Sequence, residues 1–371
     1  MRIAMVGTGF VVDFYMMTLG NHPELELVGI MDRDPDRAQK IGARYGVPTY
    51  ASLDEVLNDD RVQLIVNLTN PASHYEVSRA ALQAGKHVYS EKPLALDLEQ
   101  AKELVVLART KGLELAGAPC NSLSASAQTL WRAVRTGVIG RVRLVYAEMD
   151  DGMIPRQAHH TWNNWSGFAW PAKDEFEVGC TLEHAGYYLT WLTALFGPAT
   201  KIEAANRCLL QDKGIELSSN APDFSVALIE FEQGVVARLT CSIVAPSNHG
   251  ITVVGEEGVL SVEDCWFYAS PVYLQRVNPK SGALEKRRGY PMLRGEEWLA
   301  RYHAAVSEMD FARGVAELAG AIREGRPCRL GAEFSLHVTE IALAIQRAPG
   351  GVSTYLTSTR FDPVAPMPWA K

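Results

Sequence analysis

The sequence lacks the features that mark membrane, secreted and zinc-binding proteins. No apolar run approaches the roughly 20 residues that a membrane helix needs, and there is no internal repeat or low-complexity linker. The six cysteines are scattered, with no C-x-x-C pair. We therefore expect free thiols in a reducing cytoplasm rather than disulfides or a zinc site. We also expect no signal peptide, since Met1 and Arg2 lead directly into a strand.

Basic residues are outnumbered as well. The 371 residues include 36 Lys and Arg against 43 Asp and Glu, a formal net charge of −7. This balance argues against nucleic acid or an anionic membrane as a partner. What remains is an ordinary globular composition, with 47% hydrophobic and 21% charged residues, and enough chain for two cores.

The amino terminus has the pattern of a dinucleotide site. Residues 3–6 are a predicted strand, Gly7-Thr8-Gly9 a tight turn, and residues 10–19 a predicted helix, which is the context that the fingerprint requires. Gly7 would permit the turn, and Gly9 would let a pyrophosphate approach the backbone. The helix start at Phe10 and Val11 would offer free N–H groups to the phosphates. Val12 replaces the third glycine of the fingerprint.

The second predicted strand, residues 25–31, identifies the cofactor. It ends in Asp32, roughly 20 residues after the glycines, where an acidic residue hydrogen-bonds the ribose hydroxyls. Its charge would repel a 2′-phosphate, so the predicted cofactor is NAD. NADP is the alternative, because the neighbouring Arg33 can accommodate that phosphate.

The stretch GKHVYSEKPL at residues 85–94 places a lysine where redox chemistry would need one. Residues 86–90 read as a short strand, and Pro93 prevents a helix from starting at Lys92. Lys92 is thereby predicted at the carboxyl edge of a sheet, where open α/β folds bind ligands. Near the positive ring of a cofactor its pKa would be depressed, and it could pass protons near neutrality. The alternative is a solvated surface lysine.

Strand and helix signals alternate over residues 1–120, which predicts an α/β Rossmann domain with a parallel sheet. The loops after its strands should converge on one crevice: Gly7-Thr8-Gly9, Asp32, Thr69-Asn70-Pro71 and Glu91-Lys92-Pro93. Residues 121–371 show strands separated by glycine turns, typical of antiparallel hairpins. They predict a substrate-binding and oligomerisation α+β domain with a mainly antiparallel sheet. Helices over residues 302–323 and 332–348 and an extended tail, residues 361–371, should complete it.

Several motifs resemble the Gfo/Idh/MocA family of glucose–fructose oxidoreductase and inositol dehydrogenase. They are GTGF after the first strand, TNPASH at 69–74, AGKHVYSEKPLA at 84–95, GVIGRV at 137–142 and REGRP at 323–327. The resemblance implies NAD(P)-dependent hydride chemistry, usually at a hydroxyl carbon of a sugar or cyclitol. It also implies that Lys92 is the catalytic lysine and that the following residues line the cofactor: Thr69, Asn70, Pro71, His74, Glu91 and Asn121.

The family's second motif has an aspartate and, four residues later, an acid/base histidine. Counting back from Leu195-Phe196-Gly197, these positions hold Glu183 and Tyr187, a spacing that puts both on one helix face. A nearby Lys92 would favour the Tyr187 phenolate. The alternatives are that Tyr187 is an interface aromatic or that His184 carries the proton.

Three of the eight tryptophans lie within the irregular stretch 153–176. Tryptophan faces beside asparagine and histidine donors suit the C–H faces and hydroxyl rims of a sugar. The predicted substrate contacts are therefore His160, Trp162, Trp165, Glu183 and Tyr187. A hydrophobic plug or a subunit contact is the alternative. No ligand spacing supports a metal site, and we predict none.

These residues predict an NAD-dependent oxidoreductase that transfers a hydride at a secondary alcohol or ketone of a sugar, glycoside or cyclitol, with Lys92 and Tyr187 as the proton path. One alternative has no net redox change: a transient ketone precedes elimination, epimerisation or glycoside cleavage, with Glu183 and His184 as the extra base. Another is a dinucleotide-sensing regulatory protein. We expect a homodimer or homotetramer formed through the C-terminal sheet.

Overall fold

The computed structural model describes residues 1–293, 308–348 and 351–371. Its amino-terminal part alternates strands and helices in the order β1 (Arg2–Val6), α1 (Val12–Leu19), β2 (Glu26–Met31), α2 (Pro35–Tyr45), α3 (Leu53–Asn58), β3 (Leu64–Asn67), α4 (His74–Gln83), β4 (His87–Ser90), α5 (Leu98–Lys111) and β5 (Leu115–Gly117). The strands form a parallel sheet in the order β2-β1-β3-β4-β5. The predicted Rossmann sheet is confirmed.

The strands of this sheet are apolar along their length because both faces are covered. Ile3 and Met5 of β1 belong to the core on one face, and Ala4 and Val6 to the core on the other. This follows from the alternation of side chains along a strand that is buried on both sides. Polar groups are left to the loops that follow the strands, so a ligand of this sheet must bind there.

The second part of the chain builds a nine-stranded sheet from β6 (Val142–Asp150), β7 (Ala199–Arg207), β8 (Phe224–Phe231), β9 (Val236–Ser242), β10 (Ile251–Gly255), β11 (Gly258–Val262), β12 (Val272–Arg276), β13 (Arg288–Gly289) and β14 (Ser353–Leu356). Its order is β13-β12-β11-β10-β6-β9-β8-β7-β14. The pairs are antiparallel except β6 with β9, which run parallel. The predicted mainly antiparallel sheet, including the hairpins β8–β9 and β10–β11, is confirmed.

Helices cover one face of this sheet and leave the other open. The helices of this part are α6 (Ala125–Arg135), α7 (Ala172–Val178), α8 (Cys180–His184), α9 (Gly186–Phe196), α10 (Ala312–Glu324) and α11 (Ala332–Gln346). The α9 residues Leu189 and Trp191 are fully buried, whereas Tyr146 of β6 and Leu228 of β8 are 39% and 43% exposed. Helix α11 contacts both α5 and β7, so it joins the two sheets.

The structure differs from the predicted elements in a few places. The sequence pattern predicts one helix over residues 183–195; in the structure the helical segment starts at Cys180 and is divided at Ala185 into α8 and α9. The sequence pattern does not predict α7 or the strands β12, β13 and β14. Of the helix predicted over residues 302–323, the structure has α10 from Ala312, and residues 302–307 lie outside the described residues.

The carboxyl-terminal tail is extended but fixed to the rest of the molecule. Arg329 donates hydrogen bonds to the carbonyl oxygens of Ala365 and Pro366, and Arg135 donates to the carbonyl of Ala370 at 2.6 Å. Ala370 is fully buried, and the last turn is a short 3-10 helix. The tail is therefore part of the packed structure.

Candidate active site

The loops after β1, β2, β3 and β4 meet at one edge of the parallel sheet, as their topology predicts. They border a cavity of about 1850 Å³ whose other wall comes from the second sheet and its helices. The cavity is lined by most of the predicted cofactor residues: Gly7, Gly9, Phe10, Val11, Asp32, Arg33, Thr69, Asn70, Pro71, His74, Glu91 and Lys92. Four predicted site residues do not line it: Thr8, Asn121, His160 and Trp165.

The glycine turn has two differently constrained glycines. Gly7 has φ of +98°, and a Cβ there would lie 2.6 Å from the carbonyl carbon of Leu68, so only glycine fits between β1 and the end of β3. At Gly9 a Cβ would meet no atom within 4 Å. The backbone at Gly9 is thus open to the crevice beside the start of α1, an arrangement that suits the diphosphate of a dinucleotide.

Asp32 is fixed at the end of β2 by hydrogen bonds from its neighbours. Thr8 donates two hydrogen bonds to Asp32 Oδ2, from its backbone nitrogen at 2.6 Å and from its hydroxyl at 3.0 Å. The backbone nitrogen of Asp34 donates a hydrogen bond to Asp32 Oδ1. Thr8 therefore orients Asp32 rather than facing the cavity. Arg33 and Arg37 line the same wall, so it carries one group that repels a 2′-phosphate and two that attract it.

His74 on the cavity wall and Asn121 behind it hold the loops of the cavity. The ring nitrogens of His74 lie 2.7 Å from the carbonyl oxygen of Pro93 and 2.9 Å from that of Thr69, which ties the two loops together. Burial lowers the pKa of His74. Asn121 is fully buried and donates to the carbonyl of Tyr187 at 3.0 Å. Asn121 thus supports Tyr187 instead of lining the cofactor crevice.

Lys92 enters the cavity and forms an ion pair with Glu183. The preceding Glu91 accepts a hydrogen bond from the Tyr15 hydroxyl at 2.7 Å and one from the Lys92 backbone nitrogen at 3.1 Å. Burial alone would lower the pKa of Lys92, but the negative charge of Glu183, aided by other acidic neighbours, raises it. The Glu183 carboxylate thus favours the ammonium form of Lys92, and the depressed pKa expected beside the positive ring of a cofactor stays a prediction.

Tyr187 lines the cavity together with Lys92 and Glu183, although the helix between Glu183 and Tyr187 is interrupted. Its ring packs edge-on against Trp266 with centroids 5.4 Å apart. Burial raises the pKa of Tyr187 and outweighs the opposite effect of Lys92. Lys92 acts in the expected direction but is outweighed, and the raised pKa favours the neutral hydroxyl form of Tyr187.

His184 lies in a cluster of charges beside Tyr187. Its Nε2 lies 2.8 Å from Glu175 Oε1 and its Nδ1 3.7 Å from Asp151 Oδ2. Burial alone would lower the pKa of His184, but the Glu175 carboxylate outweighs it and raises the pKa to about 9. His184 is therefore an imidazolium paired with carboxylates on the cavity wall.

His249 extends this cluster on the other side of Asp151. Its Nε2 lies 3.4 Å from Asp151 Oδ1, its Nδ1 3.7 Å from Asp264 Oδ1, and its ring packs on Trp266. Burial would lower the pKa of His249, yet the nearby carboxylates of Asp151 and Asp264 raise it to about 9. We call these residues the acid–imidazole cluster: Asp151, Glu175, His184, His249 and Asp264.

Sequence reasoning missed four members of the acid–imidazole cluster, and Trp266 beside it. Asp151 follows β6, His249 precedes β10 and Asp264 follows β11, and these strands are neighbours in the sheet. The usable signal was a polar residue at the ends of strands that share one sheet edge. Among the described residues, no group of three or more potential ligands could hold a metal ion, and no described helix is long and apolar enough to cross a membrane.

The tryptophan-rich stretch divides between two surroundings. Trp162 and Trp170 line the cavity and pack edge to face with centroids 5.2 Å apart. His160 is exposed to solvent, and Trp165 packs on Phe14 of α1 at 5.8 Å. Of the three predicted contacts in this stretch, Trp162 alone lines the cavity.

Comparison with known proteins gives matches along most of the chain. Residues 1–117 match the model of an oxidoreductase family with an NAD-binding Rossmann fold, and residues 127–261 match the GFO/IDH/MocA C-terminal domain. An uncharacterised oxidoreductase of Synechocystis is 26% identical over 269 residues, 70% of this chain and 71% of that protein. The trans-1,2-dihydrobenzene-1,2-diol dehydrogenase of Mus musculus is 26% identical over 273 residues, 72% and 75% of the two chains.

Solved structures share the fold along nearly the whole chain. The WlbA dehydrogenase of Bordetella pertussis, in complex with NADH and UDP-GlcNAcA, has a TM-score of 0.73 at 20% identity and covers 94% of both chains. The aldose–aldose oxidoreductase of Caulobacter crescentus has a TM-score of 0.76 at 19% identity and covers 96% of this chain and 99% of that one. KijD10, a 3-ketoreductase of Actinomadura kijaniata in complex with NADP, has a TM-score of 0.71 at 22% identity and covers 93% and 96%. At these identities the likeness concerns the fold.

Proposed function

Because the chain belongs to the Gfo/Idh/MocA family of oxidoreductases, we propose that it interconverts a secondary alcohol and a ketone on a sugar, glycoside or cyclitol with a nicotinamide cofactor. One observation carries the proposal: Lys92, Glu183 and Tyr187 share one cavity with the glycine turn. A redox cofactor and a proton path would thus meet at the same place. We infer a cytoplasmic location, which suits six free cysteines.

The cofactor would be held along the first sheet. The open backbone at Gly9 and the start of α1 suit its diphosphate, and Asp32 suits its ribose hydroxyls. The bound cofactor supplies the hydride chemistry. We propose NAD as the cofactor because the Asp32 carboxylate is fixed at the ribose position, although Arg33 and Arg37 offer charges to NADP.

The protein's own residues would handle the proton. The raised pKa values of Lys92 and Tyr187 favour their protonated forms, so either can donate a proton to a ketone oxygen placed between them. Glu183 keeps Lys92 charged and oriented, and the amine that has given its proton to the ketone would take up another from solvent. With both groups protonated near neutral pH, the site is prepared for reduction of the ketone. Oxidation of the alcohol would require one of them to lose its proton first.

The acid–imidazole cluster suits a substrate with several hydroxyl groups. Imidazolium N–H donors alternate with carboxylate acceptors along the wall, and a hydroxyl group can bond to both kinds at once. Trp162 and Trp170 add apolar faces, which suit the C–H face of a sugar ring. Similar proteins include a dehydrogenase named for a dihydrodiol and, among the solved structures, an oxidoreductase named for aldoses; these names support the class of reaction and do not single out one substrate.

The Lys92→Ala variant tests the proposal. Turnover of a sugar from a panel should fall on the order of a hundredfold or more, the usual scale for a positioned acid. The NADH dissociation constant should stay within a few-fold of the wild-type value, because the glycine turn would hold the phosphates.

The wild-type titration, repeated with NADPH, should show the tighter binding for NADH.

Lys173→Ala is the matched control, since Lys173 lines the same cavity but lies 3.8 Å from Glu177 on α7. It should retain turnover. Normal turnover in the Lys92→Ala variant would make Lys92 a structural residue and remove the basis of the proposal.

A second candidate is a reaction without net redox change. It is favoured by the His184–Glu175 pair, which gives the cavity a further proton-transfer group beside Tyr187. Such an enzyme would consume substrate while the absorbance of reduced nicotinamide stays flat. Accumulating reduced nicotinamide in proportion to product supports the simple dehydrogenase instead.

A further inference from the structure

A loop from the second part of the chain is fastened to the dinucleotide site. Residues 163–169 form this loop, which is closed at its base by the pairing of Asn163 with Ala169. Inside the loop, the side-chain oxygen of Asn164 accepts a hydrogen bond from the Phe168 backbone nitrogen at 2.8 Å. The Gly167 backbone nitrogen donates a hydrogen bond to the Asn164 carbonyl oxygen. The loop is thus held together by its own bonds, and its tip can act as one unit.

The tip of the 163–169 loop contacts the glycine turn and α1. The side-chain amide of Asn164 donates to the carbonyl oxygens of Phe10 at 3.0 Å and Gly9 at 3.3 Å. Ser166 donates to the two carboxylate oxygens of Asp13, from its backbone nitrogen and from its hydroxyl, both at 2.7 Å. These bonds join the loop to the residues that would hold the diphosphate.

Asp13 gives this attachment its strength. It is fully buried on α1, and a third donor, the hydroxyl of Tyr45 on α2, lies 2.7 Å from it. Hydrogen bonds to an ionised acceptor are roughly twice as strong as neutral ones, and a buried carboxylate that loses a donor is left undersolvated. Lifting the loop would remove two of the three donors.

The loop also reaches the ribose end of the cavity. Phe168 and Gly167 line the cavity with Arg37, and the cations of Lys40 and Arg37 lie 5.0 and 5.7 Å from the centre of the Phe168 ring. On the other side, Trp165 packs on Phe14. The loop therefore borders the cavity from the glycine turn to α2, along the length that a dinucleotide would occupy.

We propose that the 163–169 loop is a latch that sets the residence time of the dinucleotide, with Asn164 and Ser166 as its positioning residues. This inference rests on the proposed function in one respect, the identity of the ligand as a nicotinamide dinucleotide. Asn164 holds the carbonyl oxygens of Gly9 and Phe10, so that the backbone N–H groups of the glycine turn stay directed towards the crevice. Ser166 holds the loop down on Asp13, and the dinucleotide leaves when these bonds open.

The Ser166→Ala and Asn164→Asp variants test the latch. Ser166→Ala removes one charge-assisted bond, and Asn164→Asp keeps the acceptor for Phe168 but turns an oxygen towards the carbonyls of Gly9 and Phe10. Each should raise the NADH dissociation rate roughly tenfold. The rate is measured by stopped-flow fluorescence as excess NAD displaces bound NADH. Asn58→Asp is the control, because Asn58 is an exposed residue at the end of α3, outside the loop and the cavity lining, and the rate of this variant should stay near wild type.

Thermal unfolding shows whether each variant is folded, and hydrogen exchange of the loop gives a second readout. The amides of residues 163–169 should exchange faster in both variants than in the wild type, with and without NADH. NADH binding with unchanged dissociation rates in both folded variants would overturn the latch and leave the proposed function standing. A wild-type protein that binds neither NADH nor NADPH would overturn both.

Discussion

In the Lys92–Glu183 pair, each side chain stabilises the charged form of the other. A lysine taken out of water would tend to lose its proton, and Glu183 reverses that tendency. Glu183 in turn would be an uncompensated charge in the cavity wall without Lys92. The pair therefore delivers a charged donor to the cavity, and Tyr187 beside it is a neutral donor because burial suppresses its ionisation.

The Tyr187→Phe variant separates the hydroxyl of Tyr187 from the packing of its ring. The ring contact with Trp266 is retained, so substrate affinity should change little. If Tyr187 carries the proton, the rate should fall on the order of a hundredfold, and the pH profile of kcat should lose one limb. Tyr187→His, which restores the residue more common in the family motif, should recover part of the rate.

The matched variant for this experiment is His184→Ala, three positions before Tyr187 in the chain. His184 is paired with Glu175, and its loss should change substrate affinity more than the pH profile. If the rate of Tyr187→Phe is near normal and that of His184→Ala falls strongly, the proton path runs through His184 and not through Tyr187.

The two catalytic-site motifs differ in how far the sequence could predict them. Lys92 follows a parallel strand, and the ends of such strands share one edge, so its place in the crevice follows from the order of elements. His184 was recognised beside Glu183, but its partners Asp151 and Glu175 come from other elements. Their pairing depends on how the second sheet packs, which no local pattern records.

At the scale of elements, strong periodic segments were predicted well and weak ones were missed. The sequence pattern predicts a helix over residues 35–45 and strands over residues 224–231 and 251–255, and α2, β8 and β10 have these same bounds in the structure. The strand β14 was missed because it is a short edge strand with alternate residues exposed, and β13 has two residues. The bonds of Ser166 to Asp13 were invisible to the sequence, since a serine and an aspartate carry no pairing signal across 153 positions.

The ends of β6, β10 and β11 meet at the acid–imidazole cluster and make stability depend on pH. The pKa values of His184 and His249 are raised to about 9 in the folded protein, against about 6.5 in the unfolded chain. Their pairing therefore stabilises the fold fully below about pH 6.5. This contribution is lost progressively as the pH rises through about 9. The melting temperature of the wild type should fall across that interval.

The doubly substituted His184→Gln, His249→Gln protein isolates this effect. It should be less stable than the wild type at pH 6.5, and the difference in melting temperature should narrow towards pH 10. The charged groups around the two histidines are Glu175, Asp151, Asp264 and Lys92, and all of them remain in the variant. A difference that stays constant from pH 6.5 to pH 10 would contradict the pairing.

For the whole molecule, the open face of the nine-stranded sheet is the surface that we propose for a homodimer or homotetramer. Leu228 on this face is 43% exposed, and a Leu228→Glu change would put a charge into any contact made there. Sedimentation should give a multiple of the 40.8 kDa chain mass for the wild type and a smaller species for the variant. Leu284→Glu, at a residue 50% exposed outside the sheet strands, should leave the mass unchanged, and an unchanged mass for Leu228→Glu would refute the proposal.

The parallel pairing of β6 with β9 has a consequence for the order in which the chain can fold. Val145 lies beside Ala237, and the antiparallel neighbour of β6 on its other side, β10, comes later still. The central strand therefore waits for both partners, and closing such long loops slows folding. Until ribosomal synthesis passes β9, the backbone N–H and C=O groups along the edges of β6 have no partner strand, and such an unpaired strand is prone to aggregation. Any fragment that ends before residue 236 would lack the strand that completes the middle of the sheet.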